Sequence, residues 1–447
     1  MNSEQQYIDI FREQRALIDS NSAAPMNAQR DSAFEAFSKN GFPTKKTERY
    51  KYTDVPQLFA PDYGINLQRL QFPLDPYRSF RCDVPNLSTS LYFVVNDSFY
   101  EKALPKVALP DGVTVGSLRQ EAIRNPQFIE KYYGRLADIS TDGIAALNTM
   151  FAQDGLIIRI AKGIQMERAL QIVNILRSDV DLMVNRRVLI VVEQGASAKL
   201  LFCDDSADDR RFLGTQVIEV FVDESANLEL YCLEETHVKN VRFSNLYIDQ
   251  RANSRFRHNI VTLHNGTTRN TTRLTLNGEG AECSLNGCVI ADKTQHVDNN
   301  TLIDHKAAHC TSNELYKYVL DDHATGAFAG LVLVRPGAQQ TVSQETNQNL
   351  CATRDARMFT QPMLEIYADD VKCAHGSTVG QLNAAALFYM RQRGIPLDEA
   401  KMLLELAFIG EVIDTIELVP LRDRLHHLVE KRFRGELSQC EGCQLHR

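Results

Sequence analysis

From Leu156 onward the chain is a succession of short apolar runs that alternate with period two: LIIRI, LQIVNIL, VLIVV, AKLLF, VIEVFV, LELYCL and FSNLYI. Period-two alternation puts successive side chains on opposite faces of an extended chain, so each run reads as a strand with one face for a core. Gly, Asn, Asp and Ser bound the runs and supply the backbone conformations of turns. Within this region GASAKL, SANLEL, RANSRF and GAECSL look alike and place Ala second, at 196, 226, 252 and 281. A period near ~28 residues with at least two strands per repeat fits a β-solenoid, whose coils bury their inner faces only by stacking. An antiparallel sandwich also yields many short strands, and the pattern leaves that alternative open.

The flanks have a different rhythm. In the first ninety residues Ile8, Ile10, Phe11 and Leu17, then Phe34 and Phe37, recur at mixed helical spacings until QFPLDPYRSF breaks the pattern. Residues 90–154 mix a strand (LYFVV) with helix-like segments such as IEKYYGRLADI. After Gly376 the strands are expected to stop. A helix over 381–392 ends at Gly394, with Pro396 beyond it. A second helix is predicted with Asp398 as N-cap, Leu397 stapled onto Met402, and an apolar stripe of Leu403, Leu404, Ala407, Phe408, Val412, Ile413 and Ile416. A last helix (RDRLHHLVEKRF) runs into the polar tail GELSQCEGCQLHR. The expected organisation is a mainly helical N-terminal region with transition strands (1–154), a β-solenoid core (155–372) and a C-terminal helical domain with a polar tail (373–447).

A formal charge of -8 gives no basic surface for displacing counterions from nucleic acid. The N-terminus lacks a basic segment followed by an apolar one, and no run of about 18 apolar residues occurs. The expectation is a cytoplasmic chain without a membrane span, whose ten cysteines are reduced thiols. There is no G-x-x-x-x-G-K-[ST], no G-x-S-x-G, no strand–GxGxxG–helix unit and no H-E-x-x-H. The commonest recognisable enzyme signatures are therefore missing.

The segment LEIYADDVKCAHGSTVGQL (364–382) is the sharpest candidate for chemistry. Asp369 and Asp370 read as a turn, after which Val371, Cys373 and His375 share one face of a strand. Cys373 and His375 then lie roughly 7 Å apart, two steps of strand rise. Thiolate and imidazole suit iron, zinc and iron–sulfur clusters, but two ligands are not four. Further ligands would have to come from elsewhere or from another chain. Sharing a face with Val371 equally suits Cys373 to a core. In the tail, Cys440, Cys443 and His446 form half of a metal knuckle with the other half missing. His305, His309 and Cys310 in HKAAHC lie on a strand and turn rather than a helix, so their spacing favours packed or solvated roles. His258 and His264, within strands, read the same way. Phe388, Tyr389 and Met390 precede Arg391 and Arg393, a composition suited either to a packed helix or to a docking surface with aromatic anchors.

The run NQNLCATRDARMFTQPMLEIYADDVKCAHGSTVGQLNAAALFYMRQRGIPLDEAKMLLELAF (347–408) resembles the C-terminal signature of the SufB/SufD family of iron–sulfur cluster assembly proteins. A looser resemblance covers most of the chain, including TERYKYTDVPQLF (47–59). The C-x-H-G-x-T-x-G pattern points to the SufD branch. The resemblance implies a right-handed parallel β-helix between helical ends. It also implies a non-catalytic scaffold that pairs with a SufB-like subunit through the β-helix and docks a SufC-like ATPase, which supplies the ATP hydrolysis. A homodimer of the isolated chain is an alternative pairing. An iron–sulfur cluster or iron would be held transiently with SufB, reduced flavin is associated with such complexes, and this chain itself would bind no nucleotide. Carried over by motif, His375 matches the histidine implicated at the subunit interface, and Cys373 matches its neighbouring cysteine. Phe388, Tyr389, Arg391, Arg393, Gly394, Ala400 and Phe408 match the segment that contacts the ATPase. Ala374 and Ser377 replace a commoner Ser and Ala, Cys351 stands where an aliphatic residue is usual, and the cysteine tail lies outside the pattern.

Overall fold

The computed structural model describes residues 3–80, 84, 90–105 and 107–436. The alternating runs are strands, and they coil. Consecutive strands go alternately to two sheets, so Leu182–Val192, Phe212–Val222 and Val241–Gln250 stack in the first while Ser197–Ser206, Asn227–Glu235 and Arg255–His264 stack in the second. Each pairs in parallel with the strand one coil away. This is a β-solenoid of about 8 turns, and the parallel pairing removes the sandwich alternative.

The repeat is set at one corner. Gly195, Ser225, Asn253, Gly280, His309 and Gln340 all adopt the left-handed conformation, with φ between 54° and 69°. Each donates its backbone N–H to a carbonyl of the next coil, at 2.6–3.1 Å. The residue that follows is small and buried: Ala196, Ala226, Ser254, Ala281, Cys310 and Thr341. The third repeat therefore aligns on Ser254, not Ala252. Ser meets the size requirement at the corner and Asn253 reaches the left-handed region at modest cost, so the Ala of RANSRF was a false landmark.

Inward-facing side chains of the early coils are aliphatic or aromatic: Leu200, Phe202, Leu228, Leu230, Phe256 and Ile260 join one core with Ile190, Val220 and Ile248 from the opposite sheet. Each fully buried side chain of this kind contributes roughly 1.5–3 kcal/mol. The outer faces are covered separately. Helices Ser3–Ser20, Arg30–Asn40 and Gly143–Phe151 pack over Met183, Leu213 and Phe243 of the first sheet. Buried Arg30 donates to the carbonyls of Thr149, Met150 and Ala152 at 2.5–3.1 Å. Its charge thus sits where the dipole of Gly143–Phe151 favours a cation. Helices Leu397–Ile413 and Val419–Phe433 cover Leu201, Tyr231, Val261, Ile290 and Val319 of the second sheet.

The C-terminal helices depart from expectation in detail. Gly394 (φ 85°) ends helix Ala384–Gln392 as foreseen: its N–H bonds to Arg391 and that of Ile395 to Met390, the paired bonds of a Schellman motif. The next helix begins at Leu397, so Asp398 lies in its first turn rather than at its N-cap, and no side chain caps it. Leu397 is exposed and is itself the first helical residue, not the residue before an N-cap that a staple needs, while Met402 is buried. The buried stripe is Ala400, Met402, Ile409, Val412, Ile413 and Ile416, whereas Leu403 and Ala407 face outward. Among the described residues no helix is long and apolar enough to cross a membrane.

The two ends of the tube differ. At the N-terminal end, Ser98–Phe99 and Val113–Ser117 add antiparallel strands that finish the two sheets. At the C-terminal end, Arg357–Ile366 and Val371–Gly380 are each paired on one side only. The expected core boundary at 372/373 falls inside the last strand, which continues to Gly380.

Candidate site at the open end of the solenoid

Parallel, in-register pairing makes inward positions line up along the tube. In the second sheet, Ala198, Leu228, Phe256, Cys283, Ser312, Ser343 and Cys373 form one column. Leu200, Leu230, His258, Leu285, Glu314, Glu345 and His375 form the next. Both columns begin apolar and end polar, and both end on the strand with no outer neighbour. Cys373 and His375 thus share a face, as the sequence predicts, and that face belongs to the rim of the tube.

Val371 and Cys373 are half-buried against Val332, Val334, Ala338 and Ala368. Burial pushes the Cys373 thiol up, and a backbone hydrogen bond from Ser343 partly offsets this. His375 is exposed. Behind Cys373, Ser343 and Ser312 are hydrogen-bonded at 2.7 Å, and Ser312 meets His305 Nε2 at 2.9 Å. Burial holds His305 well below the ordinary histidine range, at about 4. Behind His375, Glu345 and Glu314 are 0% and 1% exposed, and no carboxylate oxygen of either has a hydrogen-bond partner. Burial raises both carboxyls; the neighbouring Glu314 raises Glu345 further, while the Thr301 hydroxyl beside Glu314 offsets part of its rise. The sequence reading missed this pair. A Glu at an inward position of a strand is the signal, and it becomes visible only once the coil register is known.

The other candidates are dispersed. His309 occupies a left-handed corner and is exposed, and Cys310 follows it as the buried corner residue, so HKAAHC makes no common site with His305. His258 Nδ1 lies 3.0 Å from the Leu230 carbonyl, and burial lowers its pKa to about 4. His264 Nδ1 meets the Thr236 carbonyl at 2.7 Å. Cys440, Cys443 and His446 lie outside the described residues. Among the described residues no three of His, Cys, Asp or Glu come together as a preformed metal centre.

Helix Ala384–Gln392 buries none of its residues. Phe388 and Tyr389 are 65% and 60% exposed, and the Arg393 guanidinium lies 5.1 Å from the Tyr389 ring centre. Arg391 and Gly394 share this exposed end. Ala400 is buried, and Phe408 packs beneath Lys317 of the solenoid, 4.5 Å from ring centre to ammonium. The seven matched positions therefore divide into five at the surface and two, Ala400 and Phe408, that are wholly or partly buried.

Comparison with known proteins gives the family. Residues 1–172 match the SufBD protein N-terminal region, and residues 175–408 match the SUF system FeS cluster assembly SufBD core domain. The chain belongs to the SufBD family. It is 27% identical over 435 residues to an iron–sulfur cluster assembly SufBD family protein of Synechocystis, covering 94% of each chain. It is 28% identical over 404 residues to the iron–sulfur cluster assembly protein SufD of Escherichia coli, covering 89% of this chain and 90% of that one. The Bacillus subtilis SufD is 23% identical over 359 residues, with 79% and 81% covered. The family reading from the 347–408 signature holds, on its SufD side.

Proposed function

We propose that this SufBD-family chain is a non-catalytic scaffold subunit of a cytoplasmic SUF assembly complex. Its cargo is iron or a nascent iron–sulfur cluster, held where the open end of the solenoid meets a SufB-like subunit. The observation that carries this reading is the placement of Cys373 and His375 on a strand with a free edge. A free parallel edge offers unpaired N–H and C=O groups to another chain. Cys373 and His375 supply one soft and one borderline donor beside that edge, and the remaining ligands would come from the partner.

Phe388, Tyr389, Arg391 and Arg393 on an otherwise unburied helix form the proposed docking surface for a SufC-like ATPase. Aromatic side chains with arginines are the usual anchors of interfaces, and the missing P-loop leaves nucleotide hydrolysis to that partner. The test is a His375→Ala chain assembled with its SufB and SufC partners. Reduced iron and sulfide content in the anaerobically purified complex, with the complex itself intact, is the expected result. Unchanged cluster content, together with unchanged iron–sulfur enzyme activity in cells, would overturn the role of His375.

A further inference from the structure

We infer that Glu314 and Glu345 form a binding site for a hard divalent cation inside the solenoid, one coil below its open rim, with the Thr301 hydroxyl as a third oxygen donor. The site concerns the isolated chain and does not depend on the assembly role.

The argument starts from unmet polar atoms. Four carboxylate oxygens of two nearly fully buried residues lack hydrogen-bond partners, as does the Oγ1 of Thr301, which is 3% exposed. A buried carboxylate without a counter-charge costs several kcal/mol, and native chains rarely leave such a group unmatched. No ion pair with Lys, Arg or His involves either Glu among the described residues, although buried acids elsewhere in this tube have arginine partners.

Position then makes the three groups one cluster. Glu314 and Glu345 are register neighbours in adjacent parallel strands, so their Cβ atoms stand about 5 Å apart. Two carboxylates at that separation can reach one ion at about 2.0–2.6 Å per oxygen. From the facing sheet, the Thr301 side chain lies beside Glu314 but is not aligned to bond with it. Thr301 is paired with Gly330 in the following coil. A Cβ at position 330 would collide with Glu345 Oε1. The glycine therefore leaves the space that this carboxylate fills. All three donors are oxygens, the set preferred by Mg²⁺, Mn²⁺ and similar ions rather than by soft metals. Two ionised carboxylates would neutralise a divalent charge, and solvent would supply the remaining ligands. His375 is next in the same column and is exposed, so the route from solvent is one strand spacing long.

Mn²⁺ is the probe. The full chain, stripped with chelator, is titrated with Mn²⁺ at pH 8, and the free ion is followed by electron paramagnetic resonance. One Mn²⁺ per chain is expected. Affinity should fall at least tenfold in Glu345→Gln and in Glu314→Gln. Crystals soaked in Mn²⁺ should give an anomalous peak between the two carboxylates. No stoichiometric Mn²⁺, equal affinity in both Gln variants, or a peak at Cys373 and His375 instead would overturn the site, and the pair would then only share a proton. Should a Gln variant fail to fold, the anomalous map of the unsubstituted chain decides. None of these readouts needs the partner subunits, so the cluster content of the His375→Ala complex can succeed or fail independently.

Discussion

The tube holds two pairs of inward-facing acids, and they are treated in opposite ways. In the early coils Asp204 and Glu234 are register neighbours, as Glu314 and Glu345 are near the rim. Asp204 meets Arg186 at 2.7 Å and Arg242 at 2.9 Å, and Asn174 donates to it at 2.9 Å. Glu234 accepts from Thr268 at 2.7 Å and from Thr262 at 3.2 Å, with Arg242 at 3.9 Å. Burial pushes the Asp204 carboxyl up, but Arg242 and Arg186 outweigh it and hold the group below its usual range. Glu234 stays raised, because burial exceeds what the more distant Arg242 returns. The rim pair has no arginine partner, and the Thr301 hydroxyl beside Glu314 lowers its carboxyl less than burial raises it. The first pair is a finished structural network, and the second has no counter-charge beside it. Inward-facing acids are therefore held in a salt-bridged network at one end of the tube and left without a counter-charge at the other.

The contrast can be broken most severely from the arginine side. Arg242→Met leaves Asp204 with one cation and Glu234 with none, and should cost about 3–5 kcal/mol in urea unfolding. The rim pair should respond with the opposite sign. Its folded-state carboxyls are raised above the unfolded value of about 4.3, so the folded chain holds more protons from that pH upward. Stability drawn from the pair is therefore present in acid and is lost as pH rises through the raised range. The slope is at most about 1.4 kcal/mol per pH unit for each proton held. In metal-free buffer, a chain carrying both Glu314→Gln and Glu345→Gln should lack that slope and match or exceed the unsubstituted chain above neutrality. The comparison of the two chains cancels the contributions of His258 and His305, whose lowered values act in the other direction below about pH 6.5. The smallest effect is expected from Thr268→Val, which removes one donor from Glu234 and should cost about 1–3 kcal/mol in the same unfolding assay. If Thr268→Val proved as costly as Arg242→Met, hydrogen bonding rather than charge pairing would distinguish the two pairs.

Much of the architecture was legible because a solenoid writes its period into the chain. The runs from LIIRI to FSNLYI are strands where expected, since alternation decides which face is buried. Gly394 was legible because few residues tolerate its left-handed conformation. Ala252 misled because the corner asks for a small residue, a demand that Ser254 also meets. Asp398 misled because capping depends on where the first helical turn closes, and the helix begins one residue before it, at Leu397, after Pro396. Of the site, Cys373 and His375 stood out through their type and spacing. Glu314 and Glu345 did not, because they are 31 residues apart and become neighbours only through the coil. Ala400 and Phe408 share a sequence motif with Phe388 and Tyr389, yet a motif does not distinguish an exposed residue from a buried or half-buried one.

The column of left-handed corners has a consequence for how such a chain can change. Each corner hands one N–H to the coil above it, from Gly195 through Gln340, so every coil presents the next with the same interface. The tube is therefore a ruler marked in whole coils. Inserting or removing a full repeat would move the rim by about one strand spacing of ~4.8 Å and leave inward positions inward. A gain or loss of one residue within a strand would instead turn Cys373 and His375 from the inner face to the outer. Length along the axis can drift in steps, while the facing of the rim residues is fixed by parity.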